Sequence, residues 1–193
     1  MKYKLLETDT LLFNDVTLYR IQALIDFGNV KAGDIGGYVQ EDYNLSQYGV
    51  CWLYYDAKVY GCARVYDNAK VTDEARVYDE ADVFGHAIVF GMARVYNNAR
   101  VFGNAKVYDN AQVYNDAQVY HDGIVCDNAE VFGNAKVYDK AWVTDSARVA
   151  GKAQVYDKAH IYGNAKVFGN AHVAGNFNVF GHAKIYGNAM VTE

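Results

Sequence analysis

A single hydrophobic position recurs every six residues along most of the chain, from Leu53 to Val191. Val fills this position in most repeats, and Ala stands two residues before it in nearly all of them. Residues two apart point to the same side of an extended strand, so Ala and Val define an inner side and their neighbours an outer side. The two positions that close each repeat are mostly Gly, Asp or Asn, which tolerate left-handed backbone angles. Each six-residue word therefore predicts a four-residue strand followed by a corner.

Large apolar side chains on the outer side indicate how many words make one coil. Trp52, Ile88, Ile124 and Trp142 precede the aliphatic residue in their words, and they are separated by multiples of eighteen residues. Three words per coil place all four in one column, whereas two words per coil would move Trp142 to the opposite sheet. Because a strand this short cannot bury its inner side alone, the coils must stack on one another.

The pattern predicts an all-β fold, a single-stranded parallel β-helix shaped as a triangular prism with 18 residues per coil and about eight coils. We expect Val stacked on Val with Ala beside it, which explains why Leu is absent after residue 54. Residues 1–52 are expected to form an N-terminal β cap and an irregular first coil. Its features are a hairpin turn at Asn14-Asp15 and irregular, glycine-rich backbone in "GNVKAGDIGGYV". Residues 53–193 are expected to be the repeat region of one continuous domain.

The repeated word and the stretch "YRIQALIDFGNVKAGDIGGYVQEDYNLSQYGVCWLYYDA", residues 19–57, carry a family resemblance. The word resembles the hexapeptide repeat of left-handed parallel β-helix proteins, the scaffold of many acyltransferases. The opening stretch, with its "GGYV", "NLSQ" and "CW" segments, is similar to that of YdcK-like bacterial proteins, and similar chains occur in phages and prophages. The resemblance implies a left-handed coil, although ordinary strand crossovers are right-handed. It implies no established activity and no catalytic residues.

Composition and charge argue against several functions. A net charge of −5 gives no strong attraction to nucleic acid or to an anionic membrane. The three cysteines, Cys51, Cys62 and Cys126, lack the spacing of metal ligands, so we expect free thiols in a reducing compartment. The chain contains no run of eighteen apolar residues and no signal-peptide core, so we expect a cytoplasmic protein without membrane contact.

The outward positions sort into three faces when the chain is read in steps of eighteen residues. Face 1 contains Val59, face 2 contains Val65 and face 3 contains Val71. The interaction residues predicted on face 1 are Tyr60, Tyr78, Tyr96 and Tyr114. Those predicted on face 2 are Tyr66, Phe84, Phe102, Tyr120 and Tyr138. Those predicted on face 3 are Trp52, Ile88, Phe90, Ile124 and Trp142.

The aromatic columns on faces 1 and 2 have two interpretations. Stacked rings stabilise parallel sheets and shield backbone hydrogen bonds, but an outward apolar area of this size is also typical of an interface. Outward isoleucine has little reason to exist on a solvated sheet, so face 3 is the candidate for contact between chains. The last coil has no predicted cap and would expose unpaired backbone groups, which makes it a second candidate for contact in a homo-oligomer. Phe177 replaces an inward Ala there and is expected to fill the end of the prism.

Catalysis, nucleic-acid binding and metal binding are alternatives with less support. Hexapeptide acyltransferases use a histidine base between subunits, but no histidine here has a nucleophile or carboxylate partner set by spacing, and no inserted loop walls a pocket. Basic residues among the face 1 rings could follow a single nucleic-acid strand, although acidic corners oppose them. Asp109, Asp127 and Asp145 stack along one corner and could hold a cation, but Asp is also an ordinary turn residue.

The sequence therefore favours a non-catalytic, rigid β-solenoid that acts as an oligomerising scaffold or a protein-binding module. The resemblance to phage and prophage chains suggests a phage assembly component, or a host protein that is blocked, as the partner. The alternatives are an acyltransferase-like enzyme with an intersubunit site and single-stranded nucleic-acid binding on face 1. No catalytic residue, cofactor or metal site is predicted.

Overall fold

The chain folds as a triangular solenoid of three parallel sheets, closed at its N-terminal end by an antiparallel hairpin. A computed structural model describes residues 1–192. The solenoid has about nine coils, each of eighteen residues. The triangular fold and the coil length predicted from the sequence are confirmed, and the left hand stays a prediction from the resemblance.

The cap and the first coil contain the only long strands among the described residues, and these are β1 (Tyr3–Phe13), β2 (Val16–Ala23) and β3 (Ile35–Val39), followed by a 3-10 helix (Asp42–Asn44). The remaining strands are two residues long, shorter than the four residues predicted, although the flanking residues also bond to the next coil, as Arg76 N–H does to Ala93 and Tyr78 N–H to Val95. They are β4 (Trp52–Leu53), β5 (Lys58–Val59), β6 (Arg64–Val65), β7 (Lys70–Val71), β8 (Arg76–Val77), β9 (Asp82–Val83), β10 (Ile88–Val89), β11 (Arg94–Val95), β12 (Arg100–Val101), β13 (Lys106–Val107), β14 (Gln112–Val113), β15 (Gln118–Val119), β16 (Ile124–Val125), β17 (Glu130–Val131), β18 (Lys136–Val137), β19 (Trp142–Val143), β20 (Arg148–Val149), β21 (Gln154–Val155), β22 (His160–Ile161), β23 (Lys166–Val167), β24 (His172–Val173), β25 (Asn178–Val179), β26 (Lys184–Ile185) and β27 (Met190–Val191).

Every third short strand joins the same sheet. Face 1 is an eleven-stranded sheet in the order β1-β2-β3-β5-β8-β11-β14-β17-β20-β23-β26. Face 2 runs from β6 to β27 and face 3 from β4 to β25, with eight strands each. The register matches residues eighteen apart, as in the pairs Val89 with Val107 and Val95 with Val113. Side chains at equivalent positions of the repeat therefore stack in columns along all three faces.

The interior is a solid column of Val and Ala. Val113 and its neighbour Ala111 are fully buried, and so are nearly all their equivalents in the other coils. The interior is that of an ordinary protein core, in which space left by a missing methyl group is costly. No part of the described interior offers room for a ligand.

The corners explain why Asp and Asn share their first position with Gly. Residues there have positive φ, with 56° at Asp145 and 69° at Gly163. The Asp145 carboxylate accepts a hydrogen bond of 2.8 Å from the backbone N–H of Gly163, one coil further on. Asp127 binds the N–H of Asp145 in the same way, at 3.1 Å. Asp therefore tolerates the left-handed backbone and also ties successive coils together.

The first coil is irregular but belongs to the same stack, which explains the ninth coil. Val39 pairs in parallel with Val59, and Leu45 forms a parallel bridge with Val65. The stretch that was predicted to be irregular contains β3, whose Gly36 and Gly37 lie where a Cβ atom would meet other atoms at 2.6 Å and 2.5 Å. Gly36 lets the backbone pass close to the Trp52 ring, and Gly37 lets it pass close to the carbonyl oxygen of Ala57.

The cap is held by a hairpin and by one buried lysine. Asn14 and Asp15 have φ of 50° and 62° between β1 and β2, as a two-residue turn requires, so the predicted hairpin is confirmed. Lys2 is buried, and its Nζ donates to the carbonyl oxygen of Cys51 at 3.0 Å. Burial lowers the pKa of Lys2. Within residues 1–192 no helix is long and apolar enough to cross a bilayer.

Candidate functional site

The predicted interaction residues of faces 1 and 2 form two ladders of stacked rings within the chain. On face 1, ring centroids from Tyr60 to Phe132 are 4.9–5.1 Å apart, with planes within 7° of parallel. On face 2, centroids from Tyr66 to Tyr156 are 4.8–5.0 Å apart. Phe13 of the cap packs against Tyr60, the N-terminal ring of the face 1 ladder, with an edge contact at 5.8 Å. Most ring faces in these ladders are therefore covered by other rings of the same chain.

Three tyrosine hydroxyl groups of the ladders, those of Tyr96, Tyr114 and Tyr138, donate hydrogen bonds within the chain. The Tyr138 hydroxyl donates to Gln154 at 3.2 Å, and the Tyr114 hydroxyl donates to Glu130 at 3.0 Å. Burial is the main cause that raises the pKa of Tyr78, and likewise that of Tyr138, to about 12. These contacts favour a stabilising role for the ladders, because most ring faces and three of the hydroxyl groups already have partners.

Face 3 has a less complete ladder and carries large apolar side chains at outward strand positions. Ile88 and Ile124 are half-buried on either side of Lys106 in the register of the sheet. Trp142 follows Ile124 and is 45% exposed. Phe90 stacks on Tyr108 at 4.6 Å, but the next position of that column is Cys126 rather than a ring. Face 3 therefore presents a strip of four predicted residues, Ile88, Phe90, Ile124 and Trp142, which we call the apolar strip.

The assignment of Trp52 to an outward interaction surface is wrong. Trp52 is only 1% exposed, because the cap folds over it. Its ring makes edge contacts with Tyr3 at 6.2 Å and with Phe27 at 5.3 Å. Trp52 therefore anchors the cap and is not available to a partner. The periodic pattern could not show this, since the cap residues lie outside the repeat.

The expectation that no histidine has a carboxylate partner set by spacing is also wrong. His121 Nδ1 lies 2.8 Å from the Asp139 carboxylate, with both side chains exposed in the corner between faces 2 and 3. The two residues are eighteen apart, which is one coil. They lie in an open groove of about 560 Å³ that also contains Asp122 and Lys140. A carboxylate that orients an imidazole is one part of a general base, but no serine, threonine or cysteine lies among the residues of this groove.

In the corner with Asp109, Asp127 and Asp145, a thiol lies close to two carboxylates. Potential ligand atoms of Asp109, Cys126 and Asp127 lie within 4.8 Å of one another. Burial raises the pKa of the Cys126 thiol to about 11, and its Sγ lies 3.4 Å from the Asp127 carboxylate, to which it donates. The Asp127 carboxylate already accepts the N–H of Asp145. The geometry fits the role of these residues as corner ties.

The last described coil carries several exposed apolar side chains. Phe177 is 38% exposed, so it covers the end of the core only in part. Phe180, Tyr186 and Met190 are 58%, 62% and 69% exposed. Oligomerisation through this coil stays a prediction.

These features define the class of protein, a three-sided parallel β-solenoid with a filled core, whose accessible chemistry lies on its faces and corners. Residues 93–109 match the family model described as YdcK Beta solenoid repeat. The chain therefore contains a YdcK-type β-solenoid repeat, as the resemblance in its sequence implied. No curated protein sequence matches the chain.

Proposed function

We propose that the protein is a non-catalytic, rigid scaffold that binds a second protein chain through the apolar strip of face 3. The observation that carries this proposal is the exposure of Trp142 beside Ile124. Large apolar side chains at the outward strand position occur on this face, while the same position on faces 1 and 2 holds mainly Lys, Arg and Gln. Exposed aromatic residues with apolar neighbours are typical centres of protein interfaces.

The rest of the molecule supports a scaffold role. The filled core leaves no enclosed space for a substrate within one chain. The ladders on faces 1 and 2 and the hydrogen bonds between corners connect every coil to the next, which favours a rigid rod. A second copy of the chain is the partner that we favour, because a flat, straight strip on a rigid rod can pair with itself about a two-fold axis. In the setting that the resemblance suggests, the alternative partner is a phage assembly component or a host protein.

The test is light scattering across a dilution series, with the strip altered and the fold retained. The double variant Ile88→Gln, Ile124→Gln introduces the residue that stands at the same strand position in β14, β15 and β21. We expect the full-length chain to be larger than a monomer and the double variant to dissociate at concentrations at least tenfold higher than the parent does. The control is Lys136→Gln, which places the same side chain on face 2 and should leave the assembly unchanged.

A strict monomer at high concentration would contradict self-association. If the chain is a monomer that binds another protein, the double variant should lose that binding and Lys136→Gln should keep it. An equal loss in both variants would contradict the role of face 3. The enzyme alternative has its own test, since an acyltransferase should be stabilised by acetyl-coenzyme A in a thermal-shift assay. Stabilisation that disappears in His121→Asn would favour catalysis over the scaffold role.

A further inference from the structure

The C-terminal coils carry a charge opposite to that of the whole chain. Residues 146–192 contain five Lys or Arg residues and a single acidic residue, Asp157, which gives a formal +4 in a protein of net charge −5. Asp157 lies in the corner between faces 2 and 3. The face 1 residues Lys166 and Lys184 therefore have no acidic residue beside them on their own face, although the chain as a whole is acidic.

Three of these basic residues stand in one column. The register of face 1 places Arg148 beside Lys166 and Lys166 beside Lys184. Neighbouring strands are about 4.8 Å apart, so the like charges of this column repel one another. Arg148 is compensated by Glu130 at 2.9 Å. Neither Lys166 nor Lys184 forms an ion pair with any residue in 1–192. An anion bound at this column would remove the repulsion.

The aromatic ladder of face 1 lacks one ring at the same place. Ala150 occupies the position between Phe132 and Phe168, where every coil from Tyr60 to Phe132 has an aromatic residue. Two strand spacings separate Phe132 from Phe168, roughly 9.6 Å, so the gap is one ring deep. It forms a cavity of about 170 Å³, lined by the two phenyl rings, Ala150, Arg148 and Lys166. A site of this size is smaller than a typical ligand pocket and suits a single ring system.

A polar groove adjoins this cavity, which we call the missing rung. The groove and the missing rung share two lining residues. This groove has a volume of about 510 Å³ and contains Arg148 and Lys166, which also line the cavity. Its other lining residues are Ser146, Asn164, His182 and Lys184. Arg148 and Lys166 therefore connect the missing rung, which has aromatic walls, with a cationic groove that also contains hydroxyl and amide groups. Together they are complementary to a planar aromatic group that carries an anion.

We propose that this part of face 1 binds a mononucleotide, with the base in the missing rung and the phosphate on Lys166 and Lys184. The base would continue the ladder at its existing spacing between Phe132 and Phe168. Lysine side chains bind phosphate as compact point charges. A nucleotide strand fits less well, because it needs successive stacking platforms and the ladder offers one gap. The site lies on another face than the apolar strip, so it is independent of the proposed scaffold function.

The test is isothermal titration calorimetry of the full chain with adenosine monophosphate at low salt. Adenosine and inorganic phosphate, titrated alone, should each bind at least tenfold more weakly than the nucleotide, because each fills only half of the site. Ala150→Phe places a phenyl ring in the missing rung and should reduce nucleotide affinity at least tenfold. The same variant should raise or maintain the melting temperature, since it completes the ladder.

A second variant tests the phosphate half of the site without altering the ladder. Lys166→Gln should weaken nucleotide binding by about tenfold, as the loss of one charge-assisted contact does. The matched control Lys158→Gln removes the same charge from another corner and should leave affinity unchanged. Nucleotide binding that persists in Ala150→Phe, an equal loss in the Lys158 control, or no binding at millimolar nucleotide would each overturn the proposal. A thymidine oligonucleotide that binds more tightly per nucleotide than the monomer would overturn it in favour of a strand.

Discussion

The ladders on faces 1 and 2 can be tested as sources of stability by removing one contact between rings. Phe84 and Phe102 stack at 4.9 Å with planes 2° apart on face 2. Replacing either by Leu keeps most of the apolar surface but removes the ring contact. Aromatic pairs contribute about 0.5–1.5 kcal/mol beyond the area that they bury. Each single variant loses two such contacts, so we expect the free energy of unfolding to fall by about 1–3 kcal/mol.

The double variant separates the pair contact from other effects of the substitutions. In a double-mutant cycle, Phe84→Leu and Phe102→Leu should show a coupling energy of about 0.5–1.5 kcal/mol. The matched control combines Phe84→Leu with Tyr138→Leu, two rungs of the same ladder that do not touch. Its coupling should stay within about 0.5 kcal/mol of zero.

The assay is urea unfolding followed by circular dichroism and by intrinsic fluorescence. The two signals must give the same midpoint, because a repeat protein can lose its terminal coils before its centre. Equal coupling in the touching pair and in the separated pair would refute a stabilising role for ring stacking. The outward rings would then need another purpose, and an interface on faces 1 and 2 would become the better interpretation.

Three further predictions concern ionisation and corners. Burial raises the pKa of Tyr78 from 10.0 to about 12. The stability that protonated Tyr78 contributes to the folded state is therefore present below pH 10 and is lost as the pH rises through 12. Tyrosinate absorbance that titrates as in the unfolded chain would contradict this. Burial lowers the pKa of His160 below 6.5, so stability should fall as the pH drops below 6.5, and His160→Asn should flatten the melting temperature against pH; parallel profiles would refute it. Asp145→Ala loses the bond to Gly163 and places Ala at positive φ, so unfolding in urea should show a loss of about 1–3 kcal/mol, with less than half of it in Asp145→Asn.

The solenoid could be predicted from the sequence because nearly every six-residue repeat has the same pattern of inward Ala and Val followed by corner residues. The spacing of Ile88, Ile124 and Trp142 requires three words per coil, and the observed register has that spacing. The same period contained the pairing of His121 with Asp139, since their separation is one coil. The sequence signal for this pair is the separation of eighteen residues, which also relates Asp109, Asp127 and Asp145 in another corner.

The cap could not be derived in the same way, because its contacts follow no period. Trp52 occupies an outward position of the repeat, and only the folded hairpin shows that Tyr3 and Phe27 cover it. Lys2 reaches Cys51 across forty-nine positions of sequence. Contacts of this kind depend on the path of the chain between the two residues, which composition and alternation do not determine.

A residue that departs from the repeat lowers the stability of the stack unless new contacts replace those that it loses. Whether such contacts exist within the chain separates structural exceptions from functional ones. In a stack of equivalent coils, each position is stabilised by the same residue above and below it, so an exception loses contacts on both sides. At Trp52 the cap supplies new contacts, and the exception is explained within the chain. At Ala150 the rings on both sides lose a stacked neighbour, and nothing in residues 1–192 fills the gap. At Trp142 a large apolar side chain stays 45% exposed. Neither of the last two exceptions is fully compensated within residues 1–192, since the gap at Ala150 stays open and Trp142 stays partly exposed although its ring makes an edge contact with His160 at 5.8 Å. A ligand at the first and a partner chain at the second would supply the missing contacts.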